Sequence, residues 1–441
     1  MWCGYKKALA MKNIFSYQDK NFSQTFSDFL KTRQQTNTEI INLVEKVIED
    51  VRINRDDAVI KYTKKFDNID LRKAGIFFQQ NEIEESIGKI DLLDRKAIDL
   101  SIGRITDFHK KQMPENLSWK DELGIELGWV WKPIDRVGVY VPGGKASYPS
   151  SAIMNIVPAS VAGVDDIVLA SPTPDGAFNP LMLYTSTVLN ISKIIRVGGA
   201  QAVAALAFGT ETIEKVNKIT GPGNQYVAEA KRQVFGTVGI DSVAGPSEVL
   251  LIADKTMPEK HAALDLLAQA EHDQNAQSIL ITNDREYASK VANEIENYLK
   301  KLKRKEVAEL SWRKFGGIVI VPDFNKAIEV SNMIAPEHLQ LCFANAEEYI
   351  SYIKNAGSVF LGFWSPEAMG DYITGSNHVL PTNGTAKFSS SLSVFDFMKR
   401  VSITKVNKNG FKKLGPAVVR LANSEGLQAH SLSVSERLKN L

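Results

Sequence analysis

The chain of 441 residues predicts an α/β protein: two doubly wound, incomplete Rossmann-like domains, with a helical region before them and a small tail domain after them. Three features lead there. Strand, turn and helix patterns alternate from Val137 onward, a second such series begins at Glu248, and the alternation stops after Ser389. Alternation of this kind calls for right-handed crossovers and parallel sheets covered by helices on both faces. The corresponding segments are 11–132, expected to pack on the second α/β domain, then 133–243, 244–388 and 389–441. Residues before Met11 read as extraneous, with Met11 the expected start.

In the helical region, Ile40, Leu43, Val44, Val47, Ile48 and Val51 recur at helical spacing between Thr38 and Arg52. A second helix is expected around Ile98, Ile102, Ile105 and Phe108, closed by His109, which reads as solvated beside Lys110 and Lys111. Short strands near Ile125 to Trp131 stop at Lys132-Pro133. The first α/β series has strands at Val137–Val141, Ile167–Ala170, Lys193–Val197 and Lys215–Thr220. Its helices run through Ile153–Val161, near Leu181–Leu189, after Gly199 and after Asn224. The second has strands at Glu248–Ala253, Ser278–Thr282, Gly317–Val321, Leu339–Phe343 and Gly357–Phe363, with helices at His261–Asp273 and from Arg285 to about Lys303. A Ser-rich connector, short β-prone stretches and a helical tail follow. Roughly 50 residues make too small a core for independence, so the tail is expected to pack on something else.

Composition excludes several classes. With 44% hydrophobic and 24% charged residues the chain is ordinary for a globular protein, and a net charge of +2 gives no general attraction to nucleic acid or anionic membrane. The basic run Lys300 to Lys305 reads as a solvated helix end. No apolar run approaches the roughly 20 residues of a membrane span, and the two cysteines, Cys3 and Cys342, suit a reducing cytoplasm.

Chemistry is expected at Gly-rich strand-to-helix turns, because ligands gather at the carboxyl ends of strands in α/β sheets. Three such turns occur: Val141-Pro-Gly-Gly144, Val197-Gly-Gly-Ala-Gln201 and Thr220-Gly-Pro-Gly-Asn224. None is the G-x-G-x-x-G fingerprint, yet Gln201 and Asn224 place amides where helices begin and Tyr140 precedes the remaining turn. On the His261–Asp273 helix, Gln269 and His272 are three apart and share a face, supplying half a tetrahedral metal site. Glu337-His338 offers adjacent carboxylate and imidazole as two proton-transfer groups. The loop from Gly370 to Pro381 adds Asp371 and His378. Gln269, His272, Asp371 and His430 would complete a four-coordinate N/O zinc site.

Eight ordered segments carry a family resemblance: Tyr140-Val-Pro-Gly-Gly, Gly198-Gly-Ala-Gln201-Ala, Gly221-Pro-Gly-Asn224, Ala244-Gly-Pro-Ser247-Glu-Val, Gln269-Ala-Glu-His272, Pro336-Glu337-His338-Leu, Gly370-Asp371-Tyr and Glu425-Gly-Leu-Gln-Ala-His430. Together they closely resemble histidinol dehydrogenase over nearly the whole chain, with Ser376 standing where threonine is frequent in the family. The resemblance implies oxidation of L-histidinol to L-histidine through an enzyme-held aldehyde, with two NAD reduced in succession. It implies one zinc per chain on Gln269, His272, Asp371 and His430. It makes His338 the base for each alcohol proton and Glu337 the activator of water. Ser247, His378 and Glu425 would line the substrate pocket beside the zinc ligands and His338; Tyr140, Gln201 and Asn224 would hold NAD. The tail would be exchanged in an obligatory homodimer. Two rival classes, a zinc hydrolase and a noncatalytic metabolite-binding protein, are separated from this reading by NADH formation with histidinol.

Overall fold

The structure, a computed structural model, describes residues 13–33, 38–143, 148–243 and 245–441. The expected start at Met11 and Gly144 of the first Gly-rich turn lie outside them. In chain order the strands are β1 (Ile14–Ser16), β2 (Leu117–Lys120), β3 (Glu126–Pro133), β4 (Arg136–Tyr140), β5 (Asp166–Ala170), β6 (Lys193–Ile195), β7 (Lys218–Thr220) and β8 (Gly239–Ile240). There follow β9 (Glu248–Ala253), β10 (Gln277–Thr282), β11 (Gly317–Ile320), β12 (His338–Cys342), β13 (Ser358–Leu361) and β14 (Met398–Lys405). They form two parallel sheets, ordered β6-β5-β4-β7-β8 and β1-β11-β10-β9-β12-β13, and a small antiparallel sheet, β14-β3-β2.

Strands buried on both faces explain the near-continuous apolar runs. Along β9, Val249, Leu251 and Ala253 pack under helices Glu259–Ala270 and Arg285–Leu299, while Leu250 and Ile252 face Phe22, Phe26 and Phe29 of helix Phe22–Lys31. The first sheet is covered likewise. Val137, Val139, Ile167 and Leu169 meet helices Pro149–Val161 and Pro180–Val188; Val168, Ala170 and Ile219 meet helix Gly199–Phe208.

The placement of 11–132 on the second domain needs correction. β1 and helix Phe22–Lys31 do join the second sheet, but helix Thr38–Asp67, broken at Arg55, packs its Val44, Val47 and Val51 into the first sheet's core. Helix Leu92–Lys110 also sides with the first unit, its Ile105 against Ile153 and Val157. A second correction concerns His109. It is fully buried, with Nδ1 2.8 Å from Gln112 and Nε2 3.2 Å from the Asn377 amide. Because the amide donates to Nε2, Nδ1 carries the proton, and burial lowers the pKa below its usual value, keeping the ring neutral.

The tail is stitched to residues 117–133 rather than standing alone. β14 pairs with β3 along eight residues, from Met398 opposite Pro133 to Lys405 opposite Glu126. Asn407 then donates to the carbonyls of Leu123 and Gly124. The last two helices, Lys408–Ser424 and Gln428–Leu438, pack on each other but leave Leu414, Val418, Leu421, Leu427 and Leu432 exposed.

Candidate active site

Polar groups converge at the amino ends of the second sheet's central strands. Glu248 opens β9 and His338 opens the adjacent β12, with His338 opposite Val249. Because β9 and β10 are parallel neighbours, helix Glu259–Ala270 must run back along the sheet, which brings its last turn to this same edge. Gln269 is delivered fully buried. The helix expected to reach Asp273 ends at Ala270, so His272 stands in the following turn, its N–H 3.2 Å from the Gln269 carbonyl, and not on the helical face.

The backbone of Glu248 anchors both members of the Glu337-His338 pair. Its N–H donates to Glu337 Oε2 (2.7 Å), and its carbonyl accepts from His338 Nδ1 (2.9 Å). His338 Nε2 lies 3.6 Å from Asp371 Oδ1, too far for a hydrogen bond. On the other side, Nδ1 is 3.7 Å from Glu367 Oε1. Helix Glu367–Tyr372 supplies both carboxylates. It approaches closely because residue 370 is glycine; a Cβ there would collide with the Phe360 ring, which itself flanks His338. With both its ends satisfied, the Gln269 carboxamide donates to Glu367 and accepts from Glu248 N at 3.1 Å. His378 Nδ1 meets the Asp371 carbonyl at 2.9 Å.

Burial sets the electrostatics. It pushes Glu337 up to about 7, only partly offset by the His338 charge. Burial also disfavours the His338 cation, but Glu367, Glu337 and Asp371 outweigh it and hold the imidazole well above its usual value. Glu367 is driven upward by burial and by the neighbouring carboxylates. Asp371 stays below its usual range despite burial because His338 faces it. Burial lowers His378 and His272, against the pull of Asp371. His272 as a residue is exposed, so solvent tempers the effect there.

The remaining expected residues lie elsewhere. Ser247 precedes β9 and its carbonyl accepts from Gln277 N at 2.9 Å. Glu425 and His430 are exposed on the tail, and among the described residues no bond joins either to this centre. The amide and phenol trio sits at the carboxyl ends of the first sheet. Tyr140 is buried, its hydroxyl accepting from Gly199 N (3.2 Å) and pushed up to about 12 by burial. Gln201 is buried with Oε1 unpartnered. Asn224 spends its Oδ1 capping helix Gln225–Val234 through the N–H groups of Tyr226 and Val227, which leaves its NH₂ for other use.

Two participants escape the sequence reading. Glu367 could have been suspected from its i, i+4 spacing to Asp371. Lys231, with Asp241, forms a buried ion pair that grips Gly221: Lys231 Nζ donates to its carbonyl (3.0 Å) and its N–H donates to Asp241 (2.8 Å). Gly221 has φ +113° and lies against the Tyr140 carbonyl, a place no Cβ could occupy. A lysine at a core position beside Val227, Ala230 and Val234 was the available signal.

Comparison with known proteins fits this geometry. The family model for histidinol dehydrogenase matches residues 30–438. The chain is 49% identical over 431 residues to the histidinol dehydrogenase of Cereibacter sphaeroides, covering 98% of this chain and 99% of that one. It is 50% identical over 420 residues to that of Brucella abortus, covering 95% and 98%. The crystal structure of histidinol dehydrogenase from Elizabethkingia anophelis superposes with a TM-score of 0.92 at 38% identity, covering 98% of each chain. With the match spanning nearly every residue, the chain belongs to the histidinol dehydrogenase family of oxidoreductases.

Proposed function

We propose that the protein oxidises L-histidinol to L-histidine by way of enzyme-held L-histidinal, reducing two NAD in succession with zinc bound, as the final steps of histidine biosynthesis. The observation that carries this reading is the buried Glu337-His338 pair locked onto the Glu248 backbone beside Asp371.

The donor chemistry suits a divalent ion. Ligand atoms of His338, Glu367 and Asp371 lie within 4.8 Å of one another, and buried carboxylates so placed call for a cation. Gln269, His272 and Asp371, completed by His430, would hold zinc with the nitrogen and oxygen donors it accepts. When bound, zinc supplies a template for the substrate's imidazole and amino nitrogens, and NAD an acceptor for hydride. Ser247, His378 and Glu425 would line the substrate pocket. Tyr140, Gln201 and Asn224 would hold NAD at the first sheet's carboxyl edge.

The protein's own groups then move protons. His338 donates Nδ1–H to Glu248, so Nε2 is the nitrogen that is basic once the ring is neutral; a cation held by Asp371 would offset the carboxylate charge that favours the imidazolium, and the neutral ring then takes the hydroxyl proton as the carbinol C–H leaves as hydride. Glu337 takes a proton from water as its oxygen bonds to the aldehyde carbon. His338 then takes a hydroxyl proton of the hydrate as the second hydride departs. Alcohol, two NAD and water become carboxylate, two NADH and three protons.

His430 must reach the centre from another chain in this reading, which makes the enzyme a homodimer with shared sites. The exposed leucines of the tail helices support that. A cytoplasmic setting, without nucleic-acid or membrane partners, is consistent with a net charge of +2, with Cys342 as a free thiol, and with no described helix long and apolar enough to cross a membrane. The test is absorbance of NADH with histidinol and NAD, before and after chelation. Two NADH per histidinol, lost on chelation and restored by zinc, is expected; no NADH, or full activity without metal, would remove the proposal.

A further inference from the structure

Arg33 follows helix Phe22–Lys31, whose Phe22, Phe26 and Phe29 are buried against the second sheet, and its side chain is 3% exposed. It spends its guanidinium on four acceptors. Nε donates to the Asn275 carbonyl (3.2 Å), Nη1 to Glu248 Oε1 (2.8 Å) and Gln277 Oε1 (3.2 Å), and Nη2 to the Pro246 carbonyl (2.6 Å). The same Glu248 oxygen accepts from Asn383 N at 2.9 Å. A planar fork of five donors can address acceptors arrayed this way; an ammonium, with three donors on one atom, cannot.

The acceptors surround the backbone that leads into Glu248. Pro246 and the Glu248 side chain bracket it, and Gln277 ties the intervening Ser247 carbonyl to β10. The N–H and carbonyl of Glu248 are in turn the groups that hold Glu337 and His338. We infer that Arg33, acting through Glu248, is a positioning residue that keeps the Glu337-His338 pair aligned for proton transfer. The inference rests on the proton-transfer roles proposed for that pair. Displacement of the Glu248 backbone would release Glu337 from its N–H and His338 Nδ1 from its carbonyl, freeing the ring to swing Nε2 out of line, and misplacement of a reacting group by about 1 Å costs on the order of 10²-fold in rate.

The test uses the zinc-loaded full-length enzyme and the variants Arg33→Lys and Arg33→Ala, with zinc content and thermal unfolding measured beside kcat and the KM for NAD. Arg33→Lys should keep its zinc and its fold yet lose roughly 10- to 100-fold in kcat, as outer-shell partners typically do, with KM for NAD unchanged. Methylguanidinium should restore part of the activity of Arg33→Ala. A lowered unfolding temperature with wild-type kcat per folded site would overturn the inference, as would a loss expressed in KM for NAD. If Arg33→Ala does not fold, Arg33→Lys alone decides. His338→Gln separates the two levels: wild-type kcat there overturns the parent reading and this inference with it. An inactive His338→Gln beside an unimpaired Arg33→Lys overturns the inference about Arg33 only.

Discussion

The two parallel sheets present opposite edges to chemistry. In the first, Tyr140, Gln201 and Asn224 stand at carboxyl ends of strands, where helix N-termini and Gly-rich turns expose N–H groups. In the second, Glu248, Glu337 and His338 stand at amino ends, and helix Glu259–Ala270 adds its carboxyl-terminal turn. One edge is neutral and donor-rich, the other anionic. The difference shows how one fold type, used twice, presents two chemically distinct edges, which the proposed function assigns to a dinucleotide and to a cation.

The comparison breaks most sharply at His338. If proton transfer belongs to the second edge alone, His338→Ala should lower both oxidations together, by ~10² to 10⁴-fold in kcat. Glu337→Gln should harm oxidation of added histidinal more than that of histidinol, since only the aldehyde half needs water. Equal losses in the two half-reactions, followed as NADH, would remove the division of labour.

In the proposed dimer the second edge is completed by the partner's tail, which a mixing experiment tests. His430→Ala and His338→Ala chains, each inactive, are refolded together. In a shared-site dimer one of the two sites of each mixed dimer is intact, so random mixing returns roughly a quarter of wild-type activity. A tail serving its own chain leaves one defect in every site, and mixed dimers proven present yet inactive would exclude the exchange.

A smaller effect is expected on the first edge. Lys231→Met leaves Asp241 buried and unpaired, a loss of about 3–5 kcal/mol in unfolding free energy. The released Gly221 turn should raise KM for NAD roughly tenfold, the value of one lost hydrogen bond, with kcat little changed. A fall in kcat at unchanged KM would mean that the turn serves the second edge instead.

What was legible in the sequence divides along physical lines. Buried parallel strands such as Glu248–Ala253 announce themselves because both faces must be apolar. The β14-β3-β2 sheet was legible only in part: β3 runs where short strands were expected near Ile125 to Trp131, but Leu117–Lys120 is wholly exposed, and β14 finds its partner some 270 residues upstream, as the pairing of Met398 with Pro133 shows. The carboxyl-end rule located the first edge and missed the second, whose residues were found by residue type and family resemblance. His109 misled because two neighbouring lysines suggested solvent, while the side chain that covers it, Asn377, is remote in sequence. Glu367 offered only its i, i+4 spacing to Asp371, a weak signal that gains meaning once His338 stands beside both carboxylates.

The smallest effect concerns the contrast between carboxylates. Those of the second edge have partners, whereas Asp67, whose charge is felt by Tyr140 on the first, has a buried Oδ2 with no hydrogen-bond partner among the described residues. Burial raises its pKa from 3.8 to about 6. A carboxyl whose folded pKa is raised stabilises the fold fully below its unfolded pKa, and that contribution fades as pH rises through the folded value. Wild type should therefore lose stability between pH 3.8 and about 6 on account of this group, relative to Asp67→Asn. The full shift corresponds to roughly 3 kcal/mol, but the side chain is partly exposed, and screening reduces the expected gain of Asp67→Asn at pH 7 to about 1–2 kcal/mol. Denaturant unfolding of both proteins from pH 4 to 8 measures it. Parallel stability curves across that range would show that Asp67 is solvated and that the first edge carries no strained charge.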